Sequence, residues 1–156
     1  MYETVIWATD GSEGADAALA EALGLAELSR ARIVAVHCDQ HLNGARAMAW
    51  PALADEEDRR AKIRRQVEQL RTAGVEIDLV VRKSHCEAAD VVAAIAADVN
   101  GGILVCGMHG LGVFSGVYVG SFTQRLLQVA PCPVLAVPER ASVAVDEEHE
   151  EAEIGV

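Results

Sequence analysis

A glycine-rich loop between an apolar run and a helix-like segment is the part of the sequence best suited to bind an anion. The apolar run ends at Cys106, and the helix-like segment follows Gly120 and Ser121. Between them, glycines stand at positions 107, 110, 112 and 116. Glycine lets backbone N–H groups approach an anion closely, and the first turn of a helix presents N–H groups without intrahelical partners. The order strand, loop and helix therefore predicts a phosphate-binding site.

The spacing of this loop, Gly107-x2-Gly110-x9-Gly120-Ser121, separates it from other phosphate-binding motifs. A Walker loop would carry a Lys after its last glycine, and GxGxxG belongs at the head of a first strand–helix unit. The spacing instead resembles the nucleotide-binding signature G-2x-G-9x-G-S/T of the universal stress protein family. The resemblance covers residues 1–140, with matching stretches TDGS at 9–12, VHC at 36–38 and PCPVLAVP at 131–138.

This resemblance implies a binding site for ATP or a related adenine nucleotide, with or without Mg²⁺. Asp10 would lie near the ribose and adenine, and the backbone of Ala8 and Thr9 would line the adenine pocket. The Cys38 backbone would pair with the adenine edge, and Cys106 would lie beside the ribose. The phosphate-facing candidates are Gly107, His109, Gly110, Gly120, Ser121, Phe122 and Thr123.

Each of these assignments has an ordinary structural alternative. Asp10 also fits an Asx turn or helix cap within Asp10-Gly11-Ser12. Without the family resemblance, Cys38 is expected to be a buried thiol and His109 to be a surface loop residue. Ser121 also suits an N-cap, a role compatible with phosphate binding.

Two departures from the family pattern bear on the ligand. The family often has Gly-x-Pro or Gly-x-Ala before its third helix, where this chain has residues 83–88, KSHCEA. The loop GMHGLGVFSG is also more apolar than the common basic version, which favours a less charged adenine nucleotide over a triphosphate.

The composition is that of one α/β domain. Of the 156 residues, 51% are hydrophobic and only 4% aromatic, which is typical of parallel strands packed on alanine-rich helices. The net charge of −11 argues against nucleic acid as a partner. No apolar run reaches membrane-spanning length, and the N-terminus MYETVIWATDG lacks signal-peptide features. The four cysteines, at 38, 86, 106 and 132, include no CxxC and read as buried thiols of a reducing, cytoplasmic environment.

Hydrophobic patterns predict five strands that alternate with four helices. The predicted strands are 4–9, 32–38, 75–81, 103–106 and 134–137, and the predicted helices are 13–30, 55–73, 86–99 and 121–129. Such alternation requires a doubly wound, mainly parallel sheet of Rossmann or flavodoxin type, with the ligand at the carboxyl ends of the strands. The family resemblance implies the strand order 3-2-1-4-5. Residues 39–52 are expected to form a loop, and the acidic residues 141–156 a disordered tail beyond the domain at 1–140.

Two surfaces carry further expectations. The charge run of the second helix, from Asp55 to Arg65, is read as a solvated face. The closing strand 134–137 matches the strand through which many family members form homodimers, and an apolar edge strand needs cover.

The sequence leaves three functional hypotheses. The first is a dimeric, nucleotide-dependent regulator in stress physiology that acts through an unknown protein partner. The second is a slow Mg²⁺-dependent ATPase in which Asp10 and Ser121 help to hold the metal. The third is an interaction module with a vestigial nucleotide site. No catalytic triad, nucleophile pair or metal-ligand cluster is recognisable, so no catalytic residue or protein metal site is assigned.

Overall fold

The structure is a computed structural model that describes residues 1–40, 52–109 and 119–139. Its strands are β1 (Thr4–Ala8), β2 (Arg32–Gln40), β3 (Ile77–Ser84), β4 (Ile103–Gly107) and β5 (Val134–Val137). Its helices are α1 (Glu13–Ser29), α2 (Ala52–Thr72), α3 (Ala88–Asp98) and α4 (Ser121–Val129). Strands and helices alternate along the chain, as the hydrophobic pattern predicts.

The five strands form one parallel sheet in the order β3-β2-β1-β4-β5. This order confirms the expectation drawn from the family resemblance. The central strand β1 pairs with β2 on one side and with β4 on the other, and all five of its residues are buried. Strand order therefore reverses beside β1, and the carboxyl ends of β1, β2 and β4 meet at one edge of the sheet.

Helices cover both faces of the sheet, and each face has its own core. On one face α1 and α2 pack through small and branched side chains, including Ala18, Ala22, Ile63 and Val67. On the other face α3 and α4 pack around Val92, Ile95 and Leu126. The indole Nε1 of Trp7 donates to the Ala15 carbonyl at 2.9 Å, which attaches the first turn of α1 to β1.

The element ends differ from the sequence prediction mainly beside the candidate site. Strand β2 extends to Gln40 and β3 to Ser84, so that parts of the predicted loop 39–52 and connection 82–85 are paired strand. Cross-strand pairing supplies hydrogen bonds to polar residues that a hydrophobic pattern would not include. α2 begins at Ala52, three residues earlier than predicted, whereas α4 and β5 match.

Several expectations fall on residues outside the described ranges. These are the rest of the loop between β2 and α2, Gly110 with the middle of the glycine loop, and the acidic tail 141–156. The domain assignment 1–140 stays a prediction. No helix in the described ranges is both long enough and apolar enough to cross a bilayer.

Candidate functional site

The turn between β1 and α1 is built by short-range hydrogen bonds at the reversal point of the sheet. Asp10 Oδ1 accepts from the Ser12 amide at 3.0 Å, and Thr9 Oγ1 accepts from the Gly11 amide at 3.2 Å. Ser12 Oγ then caps α1 through the Ala15 amide at 3.2 Å. Gly11 has a φ of 79°, a left-handed conformation that favours glycine. The Asx turn expected as an alternative for Asp10 is therefore formed. It holds the carboxylate beside the space beyond the carboxyl end of β1, where strand order reverses, which is called the crevice below.

Strand β2 extends past the end of β1 and so leaves part of its backbone facing the crevice. β1 ends at Ala8, opposite Val36, and the next amide, that of Thr9, donates to the Val36 carbonyl at 2.9 Å. Peptide groups two residues apart on a strand point to the same side. The N–H and C=O of Cys38 consequently point toward the β1 side, beyond the last residue of that strand.

His37, next to Cys38, is buried and connects β1 to α2. Its Nδ1 lies 2.9 Å from the Thr9 carbonyl oxygen, and its Nε2 lies 2.7 Å from Glu56 Oε1. Only 2% of His37 is exposed. Because a carbonyl and a carboxylate both accept, the ring makes both bonds when it carries protons on both nitrogens.

Four charged residues in the first half of α2, among them Glu56, make contacts at the site, so this part of the charge run is not a solvated face. Arg59 pairs with Glu56 at 2.8 Å, and Arg60 pairs with Asp39 of β2. Lys62 Nζ donates to the Gly11 carbonyl at 2.8 Å and to Asp16 at 2.6 Å. The expectation of a solvated charge run is wrong for these residues, because the helix lies across the turn that contains Asp10 and Gly11. The expectation fits the other charged residues of the run, which are exposed: Asp55, Glu57, Asp58, Arg64 and Arg65.

The end of β4 approaches the start of α1 so closely that only glycines fit. A Cβ at Gly107 would lie 2.7 Å from the Gly14 carbonyl carbon, and a Cβ at Gly14 would lie 2.6 Å from the His109 carbonyl oxygen. The Thr123 hydroxyl donates to the Gly107 carbonyl at 3.0 Å, and the Gly120 amide donates to the Met108 carbonyl at 3.0 Å. Both ends of the glycine loop are thereby held beside β4.

The start of α4 differs from the start of α1 in its capping. Gly120 is the N-cap residue, and it makes no side-chain cap bond to the amides of the first turn. The expectation that Ser121 caps the helix is wrong, since Ser121 is the first helical residue and is exposed. The amides of Ser121, Phe122 and Thr123 thus lie at the positive end of a helix without the side-chain cap that Ser12 gives α1.

The cysteines of the site are thiols in partly apolar surroundings. Burial raises the pKa of Cys106, whose side chain packs in the core beside the Thr123 hydroxyl. Cys106 could therefore face a ribose only through its backbone. Burial, followed by the nearby Cys86 and Glu56, raises the pKa of Cys38. Cys86 itself is exposed, so the expectation of a buried thiol is wrong there, since it lies in the connection between β3 and α3.

The structure thus brings most of the predicted residues to one edge of the sheet. The ends of β1, β2 and β4 and the start of α4 contribute Ala8, Thr9, Asp10, Cys38, Cys106, Gly107, His109, Gly120, Ser121, Phe122 and Thr123. Gly110 lies outside the described residues. Within the described ranges no three His, Cys, Asp or Glu side chains converge to hold a metal ion.

The sequence matches the profile of the universal stress protein family over residues 1–138. A relative from Thermus aquaticus, described as a universal stress protein in the QAH/OAS sulfhydrylase 3′ region, is 31% identical over 139 residues. That alignment covers 88% of this chain and 99% of the relative. The chain belongs to the universal stress protein family.

Solved structures of the family share this fold, and some of them contain adenine nucleotides. A universal stress protein solved in complex with cAMP has a TM-score of 0.64 and 24% identity, covering 87% of this chain and 97% of its own. A universal stress protein from Archaeoglobus fulgidus, solved in complex with dAMP, has a TM-score of 0.64 and 21% identity. This second alignment covers 88% of this chain and 98% of the other. At these identities the likeness establishes the fold.

In this universal stress protein, some residues that support the candidate site lie on α1 and α2 and are not indicated by the sequence motifs. The charge pattern of the second helix predicts solvent-facing positions for Glu56 and Lys62, and the sequence motifs do not include Gly14. A signal for Gly14 was available, because glycine in the first turn of a helix leaves room for a neighbouring backbone. No local signal identified Lys62, whose partner Asp16 is 46 residues away in the sequence.

Proposed function

We propose that this family member binds ATP or a related, less charged adenine nucleotide at the carboxyl edge of its sheet. The observation that carries the proposal is the start of α4, where the N-cap residue Gly120 contributes no side-chain cap to the helix amides. Helix N-termini of this kind bind phosphate through backbone N–H groups and the helix dipole. The family relatives solved with cAMP and dAMP support an adenine nucleotide as the ligand class.

The base and ribose would lie between the ends of β1 and β2. The Cys38 peptide offers one N–H and one C=O toward the crevice, which is the pair that an adenine edge requires. Asp10, fixed by its bond to the Ser12 amide, would accept a hydrogen bond from the ribose. This arrangement gives each part of the nucleotide a different partner on the chain.

A divalent ion, if bound, would arrive with the phosphates. The Asp10 carboxylate and the Ser121 hydroxyl fit the role of one or two oxygen ligands to a phosphate-bound Mg²⁺. The ion would neutralise phosphate charge close to Asp10. We propose no hydrolytic step, and the regulatory reading remains the favoured one over a slow ATPase.

We further propose that the protein acts in the cytoplasm as a homodimer whose nucleotide state is read by a protein partner in a stress response. β5 lies at one end of the strand order, and its four residues are half-buried. An edge strand of this kind is suited to pair with a second copy of itself.

The test of nucleotide binding removes one backbone N–H donor from the first turn of α4. Ser121→Pro deletes the N–H of the first helical residue, where proline is well tolerated. Gly120, with φ −67° and ψ 154°, already has the extended conformation that a residue before proline requires. Ser121→Ala is the matched control, because it removes the hydroxyl and keeps the amide.

We expect ATP affinity in calorimetry to fall about tenfold in Ser121→Pro, since one hydrogen bond to a charged ligand is lost. Ser121→Ala should change affinity less, and the thermal midpoints of both variants should stay close to that of the parent. Equal ATP affinity in Ser121→Pro and the parent would contradict phosphate binding at α4. Failure of the parent to bind ATP, ADP, AMP or cAMP would overturn the proposed function as a whole.

A further inference from the structure

The His37 side chain is hydrogen-bonded to the Thr9 carbonyl, which would otherwise be free to accept a backbone hydrogen bond from β2. In a parallel sheet, the Thr9 carbonyl, which follows the Thr9 amide on the same side, would accept from the Cys38 amide. Instead, His37 Nδ1 lies 2.9 Å from that carbonyl oxygen. Among the hydrogen bonds of the described residues outside the regular ladders, none joins the Cys38 amide to Thr9.

The direction of the Cys38 amide follows from hydrogen bonds at other positions of β2. The Arg32 amide donates to Glu3, on the β1 side, whereas the Ile33 amide donates to Glu76, on the β3 side. The N–H and C=O groups of even-numbered residues in β2 therefore point toward β1, and those of odd-numbered residues point toward β3. The N–H and C=O of Cys38 therefore point to the β1 side of the sheet. Cys38 lies two residues beyond Val36, the partner of the last β1 residue, so no residue of β1 lies opposite it.

We propose that His37 is a positioning residue that keeps the Cys38 amide available to a ligand. By donating to the Thr9 carbonyl, the imidazole ends the β1–β2 ladder one step early. The Cys38 N–H is then directed into the crevice, where it can donate to an acceptor on the ligand. This inference rests on the proposed function for the identity of the ligand, but the ladder ending is a property of the protein alone.

Charged residues of α2 hold the imidazole in this position. Glu56 Oε1 accepts from His37 Nε2 at 2.7 Å, and Glu56 Oε2 is 2.8 Å from Arg59. The Arg60 guanidinium lies 3.4 Å from Glu56 Oε1 and also pairs with Asp39. Because Nε2 is engaged by the carboxylate, the ring cannot turn to release the Thr9 carbonyl without breaking a charge-assisted hydrogen bond.

Adenine is the base whose edge suits this arrangement. Its N1 accepts a hydrogen bond, as the Cys38 N–H requires, and its amino group donates, as the Cys38 carbonyl requires. Hypoxanthine, the base of ITP, has the opposite pattern at both positions, because its N1–H donates a hydrogen bond and its O6 accepts one. A site that reads the base through an available Cys38 amide should therefore prefer ATP to ITP, and that preference should depend on His37.

The experiment uses two variants of the full chain with opposite effects on the Thr9 carbonyl. His37→Leu removes both ring nitrogens while filling much of the same volume. His37→Asn keeps a donor near the position of Nδ1 and loses the one that reaches Glu56. The first readout is hydrogen exchange of the Cys38 amide, measured by NMR on nucleotide-free protein.

In the parent and in His37→Asn, the Cys38 amide should exchange quickly. In His37→Leu the amide should bond the Thr9 carbonyl, and its protection should rise by about tenfold, the effect of one ladder hydrogen bond. A merely structural role for His37 predicts the opposite, because a weakened sheet would exchange faster. Unchanged or faster exchange of Cys38 in His37→Leu would overturn the proposal.

The second readout is the ratio of ATP to ITP affinity in the same variants. His37→Leu should lose about tenfold in ATP affinity and most of its preference over ITP, whereas His37→Asn should keep that preference. A preference that persists in His37→Leu would contradict base reading through Cys38. If the parent binds neither nucleotide, the proposed function fails, and the exchange measurement still decides the role of His37. Should His37→Leu not fold, the comparison of His37→Asn with His37→Gln, which keeps only the donor toward Glu56, makes the same test.

Discussion

At the scale of single residues, glycines in this molecule occupy three different physical environments. Gly11 has a left-handed φ of 79° in the turn after β1. Gly14 and Gly107 let the backbones of α1 and β4 meet, with no room for a Cβ on either. Gly24 lies on the exposed side of α1, and apart from its chain neighbours and its own helix backbone no atom of the described residues lies within 4 Å of a Cβ added to it. Identical residues therefore differ in what a substitution would cost.

Two Gly→Ala substitutions in the same helix should have opposite signs. Gly24→Ala should stabilise the protein by about 0.5–1 kcal/mol, because alanine has the better helix propensity and the site is open. Gly14→Ala should destabilise it by about 1–3 kcal/mol, because the new methyl group would overlap the His109 carbonyl oxygen. Urea denaturation gives both free energies of unfolding. A neutral Gly14→Ala would show that β4 and α1 separate easily.

At the scale of elements, α2 connects the outer surface of the domain to the candidate site. Its Lys62 holds the carbonyl of Gly11, and its Glu56 holds His37. Gln66 adds a bond to Asp16 at 2.8 Å, so α2 also binds α1. The turn that carries Asp10 is consequently held by a helix remote from it in sequence, and a displacement of α2 would be transmitted to that turn.

Removal of the Lys62 ammonium should cost more than removal of an exposed charge on α2. Lys62→Met should lower the free energy of unfolding by about 1 kcal/mol, since a hydrogen bond to the Gly11 carbonyl and a half-exposed ion pair are lost. Arg64→Met is the matched control, an exposed cation on the same helix, and should stay within about 0.5 kcal/mol of the parent. Chemical denaturation of both variants measures the difference, and equal effects would contradict a holding role for Lys62.

At the scale of the whole molecule, the sheet has one short and one long edge strand. β5 has four residues and β3 has eight, among them the exposed Asp78, Arg82 and Lys83. Charged side chains on an edge discourage pairing with other chains, whereas β5 is entirely apolar. β5 is therefore the edge better suited to self-association.

A proline at the outward-facing amide of β5 should separate the proposed dimer. Pro133 and Val137 direct their carbonyls toward β4, so the Ala136 peptide faces the open edge. Ala136→Pro removes that outward N–H and leaves the pairing with β4 intact. Sedimentation should find a monomer for Ala136→Pro and a dimer for both the parent and Ala136→Ser, which keeps the amide. A dimeric Ala136→Pro would show that the copies meet elsewhere.

Local sequence patterns predict most of the strands and helices, and they also predict the edge of the sheet at which the candidate site lies. Buried parallel strands read as continuous apolar runs, so β1 and β4 were recognisable, and α4 and β5 were bounded correctly by Gly120 and the prolines at 131 and 133. These are local signals, carried by neighbouring residues. The spacing of the glycine signature, likewise local, placed the site.

The side chains that support the candidate site become visible only when the elements are packed together. His37 bonds Glu56 at a separation of 19 residues, and Lys62 bonds Asp16 at 46. Whether a charge on α2 faces water or the β1–α1 turn depends on how the helix lies over the sheet, and no pattern within the helix encodes that placement. The availability of the Cys38 amide likewise required three strands and a helix to be in place, because it depends on where one strand ends relative to its neighbour.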